Sequence, residues 1–290
     1  MSLSVVIPAY NEEKSIKQTL DQLKLILNDI IHEIIVIDDN SSDSTCKIIK
    51  SFNNITLIQH NVNKGYGASI KTGIKKSKFD IIAITDADGT YPNERIPEFY
   101  KNFIENNLDM IIGSRTGSNV NIPLIRRPAK WFIGKLANYV TGINIPDINS
   151  GLRVFRKSSF LKFLPIIPDG FSLTTTITIG MISNGYKLKF IDIDYFKRSG
   201  KSKIRPIHDT INFIKLILRM GLYFAPLKIF MPVSVYLFIL SFVIALYTKY
   251  VLGELADVSS IIIMMTSFQI AVIALLAELI NKRTPNKYGK

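Results

Sequence analysis

Ile81-Ile82-Ala83-Ile84-Thr85-Asp86-Ala87-Asp88 runs through four apolar residues and ends in two carboxylates spaced i, i+2. A short continuous apolar run rich in Ile is the pattern of a strand covered on both faces. The pattern recurs at Leu3–Pro8, Glu33–Asp38, Thr56–His60 and Met110–Gly113. Between these runs the apolar spacing turns helical, near Glu12–Leu27, Ser44–Phe52, Gly67–Lys76 and Ile96–Asn106. Strands alternating with helices predict an α/β fold with a mostly parallel sheet. Further on, the spacing predicts a helix over Arg127–Tyr139, a strand at Leu152–Arg156, a helix over Leu173–Ser183 and a last strand at Lys187–Phe196.

Ligands of open α/β sheets bind beyond the carboxyl ends of the strands. Three such ends are unusual here: Pro8-Ala9-Tyr10-Asn11-Glu12, Asp38-Asp39-Asn40-Ser41 and Asp86-Ala87-Asp88. Two carboxylates leaving a strand at i, i+2 can reach one hard cation, and Mg²⁺ favours one or two carboxylates plus phosphate oxygens. Such a cation would neutralise a nucleotide diphosphate and stabilise it as a leaving group. Asp39 matches the acidic residue that holds ribose or base in nucleotide sites, although an N-cap role is also open at this turn. Lys64 with Gly65, Gly67 and Gly73 resembles a phosphate-cradling loop, without a P-loop or GxGxxG pattern.

The chain carries 36 Lys and Arg against 23 Asp and Glu, a formal charge of +13. Such a surplus fits an anionic membrane surface or phosphorylated substrates. The placement of the charge, clustered from Arg198 to Arg219 just ahead of long apolar runs, decides against a nucleic-acid partner. One cysteine, Cys46, excludes an internal disulfide and a cysteine metal cluster. The N-terminus reads as a first strand and not as a signal peptide. Residues 206–226 form an amphipathic segment, with Ile207, Ile211, Ile214 and Leu218 on one side and His208, Asn212, Lys215 and Arg219 on another. This is the composition of a helix lying in the headgroup plane. Residues 227–281 then hold two runs, about 229–251 and 258–280, each near the ~20 residues that span a bilayer. Their short acidic link predicts a transmembrane hairpin, and the basic tail 282–290 predicts cytoplasmic termini. Gln269, inside the second run, reads as a hydrogen-bonding contact between the two helices. A hairpin anchor also leaves room for homo-oligomerisation.

The stretches V-V-I-P-A-Y-N-E-E, D-D-N-S-S-D-S-T, N-K-G-Y-G-A, D-A-D-G-T-Y-P and G-S-R occur in that order. Together they resemble family 2 glycosyltransferases of the GT-A fold. The later D-I-N-S-G-L-R-V-F and G-K-S-K-I resemble the polyprenyl-phosphate branch, which includes dolichol-phosphate mannose synthases and undecaprenyl-phosphate sugar transferases. The resemblance spans residues 4 to 205 and makes 1–205 the GT-A domain.

It implies transfer of a sugar from a UDP- or GDP-sugar to a polyprenyl phosphate at the cytoplasmic membrane face, with inversion and with Mg²⁺ or Mn²⁺. By the same resemblance Pro8, Ala9, Tyr10, Glu12, Asp39 and Lys64 belong to the nucleotide site, with Asp86, Ala87 and Asp88. Asp86 and Asp88 are the implied metal ligands. Arg115, Arg126, Arg127, Arg198, Ser202 and Lys203 are the implied phosphate and acceptor ligands. Asp147 is the candidate for a base or an orienting carboxylate, against a plain turn residue after Pro146.

Two departures from the family pattern stand out. Thr90 occupies the place where some relatives carry a third metal ligand, Gln. Arg198 lies two residues before Gly200, with Lys197 at the place usual for the arginine. A same-fold transferase with another lipid or glycan acceptor, or a non-catalytic membrane scaffold, are the alternatives the sequence leaves open.

Overall fold

The computed structural model describes residues 2–118, 127–170, 172–197, 206–253, 258–283 and 288. Seven strands form one sheet: β1 (Ser2–Ala9), β2 (Ile31–Asp38), β3 (Ile55–Gln59), β4 (Ile81–Ile84), β5 (Met110–Ser114), β6 (Arg153–Arg156) and β7 (Leu188–Asp192). Their order across the sheet is β3-β2-β1-β4-β6-β5-β7. The first four pair in parallel and β5 pairs in parallel with β7, whereas β6 is antiparallel to both β4 and β5. The sheet is therefore mostly parallel with one reversed strand.

Helices α1 (Ile16–Ile26), α2 (Thr45–Lys50), α3 (Tyr66–Lys76), α4 (Ile96–Glu105), α5 (Arg127–Thr141), α6 (Lys157–Phe163) and α7 (Leu173–Ser183) complete the layers. One core joins the sheet to α1 and α4 through Leu3, Val5, Ile16, Leu20, Phe99 and Phe103. A second, on the other face, joins it to α3, α6 and α7 through Ile35, Ile70, Ile74, Phe160 and Ile177. Both faces are covered, which is why the strands read as continuous apolar runs. The α1 helix starts at Ile16 and not at Glu12, because Glu12 to Ser15 form a turn in which the Glu12 carbonyl accepts the amides of Ser15 and Ile16.

Helix α8 (Pro206–Phe224) carries two apolar faces. Ile217 and Met220 are buried against Ile133, Ala137 and Val140 of α5 and Ile179 of α7. Ile211, Leu218 and Leu222 point outward beside the exposed Lys215 and Arg219, while Ile214 is half-buried. The expected stripe of Ile211, Ile214 and Leu218 is thus split between the two faces, and the side chains of Ile207 and His208 lie outside the described residues.

Helix α9 (Pro226–Tyr247) runs on through a π-helical turn, Thr248–Leu252, and α10 (Val258–Arg283) packs back along it. Both are long and apolar enough to cross a membrane, and only 11 % and 17 % of their most apolar stretches are buried. The pattern is inside-out. The side chains buried between them are small, Ser234 and Ser241 on α9 and Ser260, Ser267 and Ala274 on α10, while Phe, Ile, Leu and Val face outward. Small residues let helix backbones approach where lipid leaves no hydrophobic drive between helices. Ser234 donates to the Ser267 carbonyl at 2.8 Å. The sequence expectation placed the polar contact at Gln269. That residue is exposed on the opposite side of α10, and the contact is made by the serines.

Candidate active site

The carboxyl ends of β1, β2, β4 and β5 lie on one sheet edge, which gathers the acidic stretches. The loop after β1 is locked to the loop after β2. The Asn11 amide donates to Ser41 Oγ at 2.9 Å and the Ser42 amide to Asn11 Oδ1 at 2.8 Å. The Glu12 amide donates to Thr45 Oγ1 at 2.8 Å. Asn11 and Asn40 take the left-handed conformation, at φ 53° and 64°, which lets both loops turn sharply at the edge. Pro8 and Tyr10 are half-buried here, and Ala9 and Glu12 are buried.

Asp39 sits deeper, 3 % exposed. Its Oδ1 accepts the Lys64 amide at 2.9 Å and His60 Nδ1 at 2.7 Å, and its Oδ2 accepts the Gly65 amide at 2.7 Å. His60 Nε2 meets Thr72 Oγ1 at 3.0 Å. The glycine-rich loop therefore gives two of its amides to a carboxylate, which is a different use from the phosphate cradle suggested by its sequence. Gly67 has a packing reason: a Cβ there would sit 2.5 Å from the Pro168 carbonyl oxygen. The Lys64 side chain itself is exposed. His60 was not legible as a site residue, since a lone histidine without ligand spacing carries no signal.

Asp86 and Asp88 follow β4. Tyr66, at the start of α3, donates its hydroxyl to Asp86 Oδ1 at 3.0 Å. Burial, and then the charge of Asp86, raises the Tyr66 phenol well above its ordinary range and keeps it protonated. Asp88 is buried, and its Oδ1 accepts both the Thr90 amide at 3.1 Å and the Thr90 hydroxyl at 2.6 Å. Thr90 thus orients Asp88. Both carboxylates supply hard oxygen donors, and among the described residues no group of three or more His, Cys, Asp or Glu side chains is placed to hold a metal. The pair fits a divalent cation whose remaining ligands are diphosphate oxygens and water.

Arg115 follows β5 and meets Asp147 in a bidentate pair. Nε lies 2.6 Å from Oδ2, Nη2 lies 2.9 Å from Oδ1, and the Arg115 amide adds a bond of 3.1 Å. Burial works against the Arg115 charge, but Asp147 outweighs it and holds the guanidinium well above its ordinary range. Tyr195 stacks on Arg115, with the guanidinium carbon 5.2 Å from the ring centroid.

The segment Ile148–Leu152 links the two halves. Gly151 lies against Asp86: a Cβ there would be 3.0 and 3.1 Å from the two carboxylate oxygens and 3.1 Å from the Tyr66 hydroxyl. Its amide donates to the Tyr91 hydroxyl at 2.7 Å, and Tyr91 meets Tyr195 edge-on at 5.4 Å. A continuous chain of contacts therefore runs from Asp86 through Gly151, Tyr91 and Tyr195 to Arg115. Beneath it Arg153 is fully buried. It donates to the carbonyls of Ser150 at 2.7 Å and Ile148 at 3.0 Å, and to the Thr178 hydroxyl at 2.7 Å. Burial pulls its pKa down to about 10.

Tyr66, Tyr91, Gly151, Arg153 and Tyr195 were not singled out from sequence. Their signal is the density of aromatic and arginine residues around the quoted motifs. Arg126, Arg198, Ser202 and Lys203 lie outside the described residues, as does the side chain of Arg127.

Comparison with known proteins bears on the family and the fold. The profile of glycosyl transferase family 2 matches residues 4–164, and that of the GtrB C-terminal hairpin matches residues 225–282. An uncharacterized protein of Methanocaldococcus jannaschii is 32 % identical over 196 residues, covering 65 % of this chain and 79 % of its own. The UDP-N-acetylglucosamine–dolichyl-phosphate N-acetylglucosaminyltransferase of Methanococcus voltae is 32 % identical over 182 residues, covering 55 % of this chain and 71 % of its own. Among solved structures, glucosyl-3-phosphoglycerate synthase of Mycobacterium tuberculosis, in complex with Mn²⁺, UDP and phosphoglyceric acid, superposes with a TM-score of 0.61 at 17 % identity. That match covers 76 % of this chain and 78 % of the other and speaks for the fold. With its family profile matched over more than half its length, this chain belongs to glycosyl transferase family 2.

Proposed function

We propose that this glycosyltransferase moves a sugar from a nucleoside-diphosphate sugar to a polyprenyl phosphate at the cytoplasmic face of the membrane, with inversion at the anomeric carbon. The observation that carries the reading is the contact chain joining the Asp86–Asp88 pair to the Arg115–Asp147 pair on one sheet edge. The names of relatives acting on dolichyl or undecaprenyl phosphate support the acceptor.

An acceptor phosphate monoester is largely ionised at pH 7, since its second pKa is about 6. It needs positioning and charge screening more than deprotonation. Arg115 supplies the positive charge, and Asp147 fixes its fork. Asp147 is therefore a positioning residue and is not used as a base. A phosphate oxygen attacks the anomeric carbon from the face opposite the nucleotide, the bond from that carbon to the diphosphate oxygen breaks, and the nucleoside diphosphate leaves with the electron pair. Asp86 and Asp88 would hold Mg²⁺ or Mn²⁺, which when bound supplies charge neutralisation to the leaving diphosphate. Tyr66 keeps Asp86 oriented and Thr90 does the same for Asp88.

The acceptor capacity of Asp39 bears on the base. A carboxylate offers about four lone-pair positions. Oδ1 uses two, on Lys64 and His60, and Oδ2 uses one, on Gly65. Among the described residues one position is left. It matches the single imide N–H of uracil, whereas the two-donor edge of guanine needs both carboxylate oxygens. The donor is accordingly a UDP-sugar.

For the membrane, the outward face of α8 lies in the headgroup plane and α9 with α10 spans the bilayer, with Lys282 and Arg283 on the cytoplasmic side. Lys228 Nζ donates to the Val140 carbonyl at 3.0 Å and Tyr139 donates its hydroxyl to the Lys228 carbonyl at 2.7 Å, tying α5 to the base of the hairpin.

The test incubates full-length protein with radiolabelled UDP- and GDP-sugars and either polyprenyl phosphate or diacylglycerol. Label reaching the organic phase only with polyprenyl phosphate and a UDP-sugar is the expected result. Label on diacylglycerol alone would overturn the acceptor, and transfer from GDP-sugars alone would overturn the base.

A further inference from the structure

Asp39 is held by a side chain to which the proposed function gives no role. Gln59, the last residue of β3, pairs with Asp38, and the His60 amide donates to the Asp38 carbonyl at 2.9 Å. The pairing thus runs one step past the strand and sets His60 beside Asp39. Both side chains are only 5 % exposed. On its other side the imidazole meets α3. A Cβ at Gly73 would sit 2.6 Å from Ile37 Cδ1, so a glycine there lets the helix lie close on the sheet. That close approach brings Thr72 Oγ1 to 3.0 Å from His60 Nε2.

The partners assign the protons. A carboxylate accepts and does not donate, so Nδ1 carries the proton and donates to Asp39 Oδ1 at 2.7 Å. In the neutral ring Nε2 then holds a lone pair, and the Thr72 hydroxyl donates to it. Thr72 fixes the ring, and the ring fixes the carboxylate. The Lys64 and Gly65 amides also reach Asp39, but both come from one loop. His60 adds a side-chain donor from a different element.

The geometry points to His60 as the residue that sets the base selectivity of Asp39. It takes the second lone pair of Oδ1 and leaves the free position on Oδ2. One free acceptor suits the single imide N–H of uracil and leaves one donor of the guanine edge unpaired. An unpaired donor in a buried polar site discriminates strongly. Without His60, Oδ1 regains a lone pair, and a carboxylate held by two adjacent amides can turn to offer both oxygens. His60 acts through Asp39 and is therefore a positioning residue. The inference rests on the reading of Asp39 as the base-binding carboxylate and of the donor as a UDP-sugar.

The test measures UDP and GDP binding to full-length protein in detergent by calorimetry with Mn²⁺ present, together with donor kinetics. His60→Leu keeps much of the bulk and removes the donor. It should weaken UDP about tenfold and shrink the ratio of GDP to UDP dissociation constants by about tenfold or more. In transfer from a UDP-sugar the loss should fall on KM and not on kcat, a split that general unfolding would not produce. His60→Asn returns an N–H near the place of Nδ1 and should recover most of the discrimination. Thr72→Val loosens the ring and should shift the ratio in the same direction by less. An unchanged ratio in His60→Leu overturns the inference, as does a His60→Asn protein that discriminates no better than His60→Leu. Should His60→Leu not fold, an unchanged ratio in Thr72→Val is equally fatal. Asp39→Asn separates the inference from its premise. If that variant binds UDP as tightly as wild type, or if wild type prefers GDP, the premise falls and the inference with it. If Asp39→Asn binds UDP weakly while His60→Leu keeps the wild-type ratio, only the role of His60 falls.

Discussion

Replacing Arg153 by methionine tests whether the segment before β6 is held in place from below. The guanidinium is fully buried and makes three nitrogen–oxygen hydrogen bonds, two of them to the carbonyls of Ile148 and Ser150 that bracket Asn149. Arg153→Met keeps most of the volume and removes all three. Hydrogen bonds from a charged donor contribute about 1.5–3 kcal/mol each. Against this stands the cost of burying the charge. A fall from the ordinary arginine range to about 10 means the unfolded chain holds the proton more firmly than the folded one. The charge therefore costs the folded state about 3 kcal/mol at every pH below about 10, and that cost fades only above it. The hydrogen bonds win, and the net loss on substitution is about 2–6 kcal/mol. For a domain of roughly 200 residues that is a fall in Tm of about 5–20 °C.

The functional effect is larger, because Asp147 and Gly151 lie on the released segment. A displacement on the order of 1 Å at a positioning group lowers kcat about a hundredfold. The assay pairs thermal unfolding of the full-length protein in detergent with steady-state transfer from a UDP-sugar. Thr178→Val, which removes one of the three bonds, should cost about 1.5–3 kcal/mol and leave kcat within a few-fold. Arg153→Lys, which restores a charge without the fork, should not rescue. An Arg153→Met protein with Tm within 2 °C of wild type and kcat within twofold would refute the reasoning.

Other predictions follow from neighbouring contacts. Asp88→Asn should remove metal-dependent transfer by at least about a hundredfold, checked by activity against Mg²⁺ and Mn²⁺ concentration; full metal-dependent activity would sink the assignment. Gly151→Ala places a methyl 3.0–3.1 Å from the Asp86 oxygens, so UDP binding measured by calorimetry should weaken about tenfold with little change in Tm. Tyr288 stacks on Phe163 at 5.4 Å and meets Phe224 edge-on at 5.8 Å; Tyr288→Ala should cost about 1–3 kcal/mol in a thermal melt and leave KM unchanged.

Continuous apolar runs made the strands legible, because residues covered on both faces leave no choice of pattern. The Leu173–Ser183 helix falls on the stretch its composition suggested. What the pattern could not carry was direction. Arg153-Val154-Phe155-Arg156 is four residues long and opens with a charge, and nothing in it says that the strand runs against its neighbours. Helix α6 went unread because seven residues hold barely two turns of periodicity. The last strand stops at Asp192, short of Phe196, because the chain then leaves the sheet. The Phe196 amide goes to the Thr90 carbonyl at 2.9 Å, on the loop that carries Asp88. Among the site residues, Arg115 and Asp147 were each legible as chemistry, but their pairing spans 32 positions and depends on the reversed strand.

That reversal accounts for the composition of the site. In an all-parallel sheet the carboxyl edge is reached only by segments that have just left a strand. A reversed strand sends to the same edge the segment about to enter it. Because β6 lies between β4 and β5, its leading segment, Asp147–Leu152, enters between the loop that carries Asp86 and the loop that carries Arg115. Gly151 against Asp86 and Asp147 against Arg115 are therefore consequences of strand order. The register agrees, since Arg153 lies opposite both Ile84, the last residue of β4, and Ile112, the last residue of β5 that pairs with β6, and so anchors the segment there. A carboxylate pair suited to a cation and an arginine suited to a phosphate are held apart and yet coupled by one short stretch of chain. A transferase that must separate the charge of a leaving diphosphate from that of an incoming phosphate needs such a spacing.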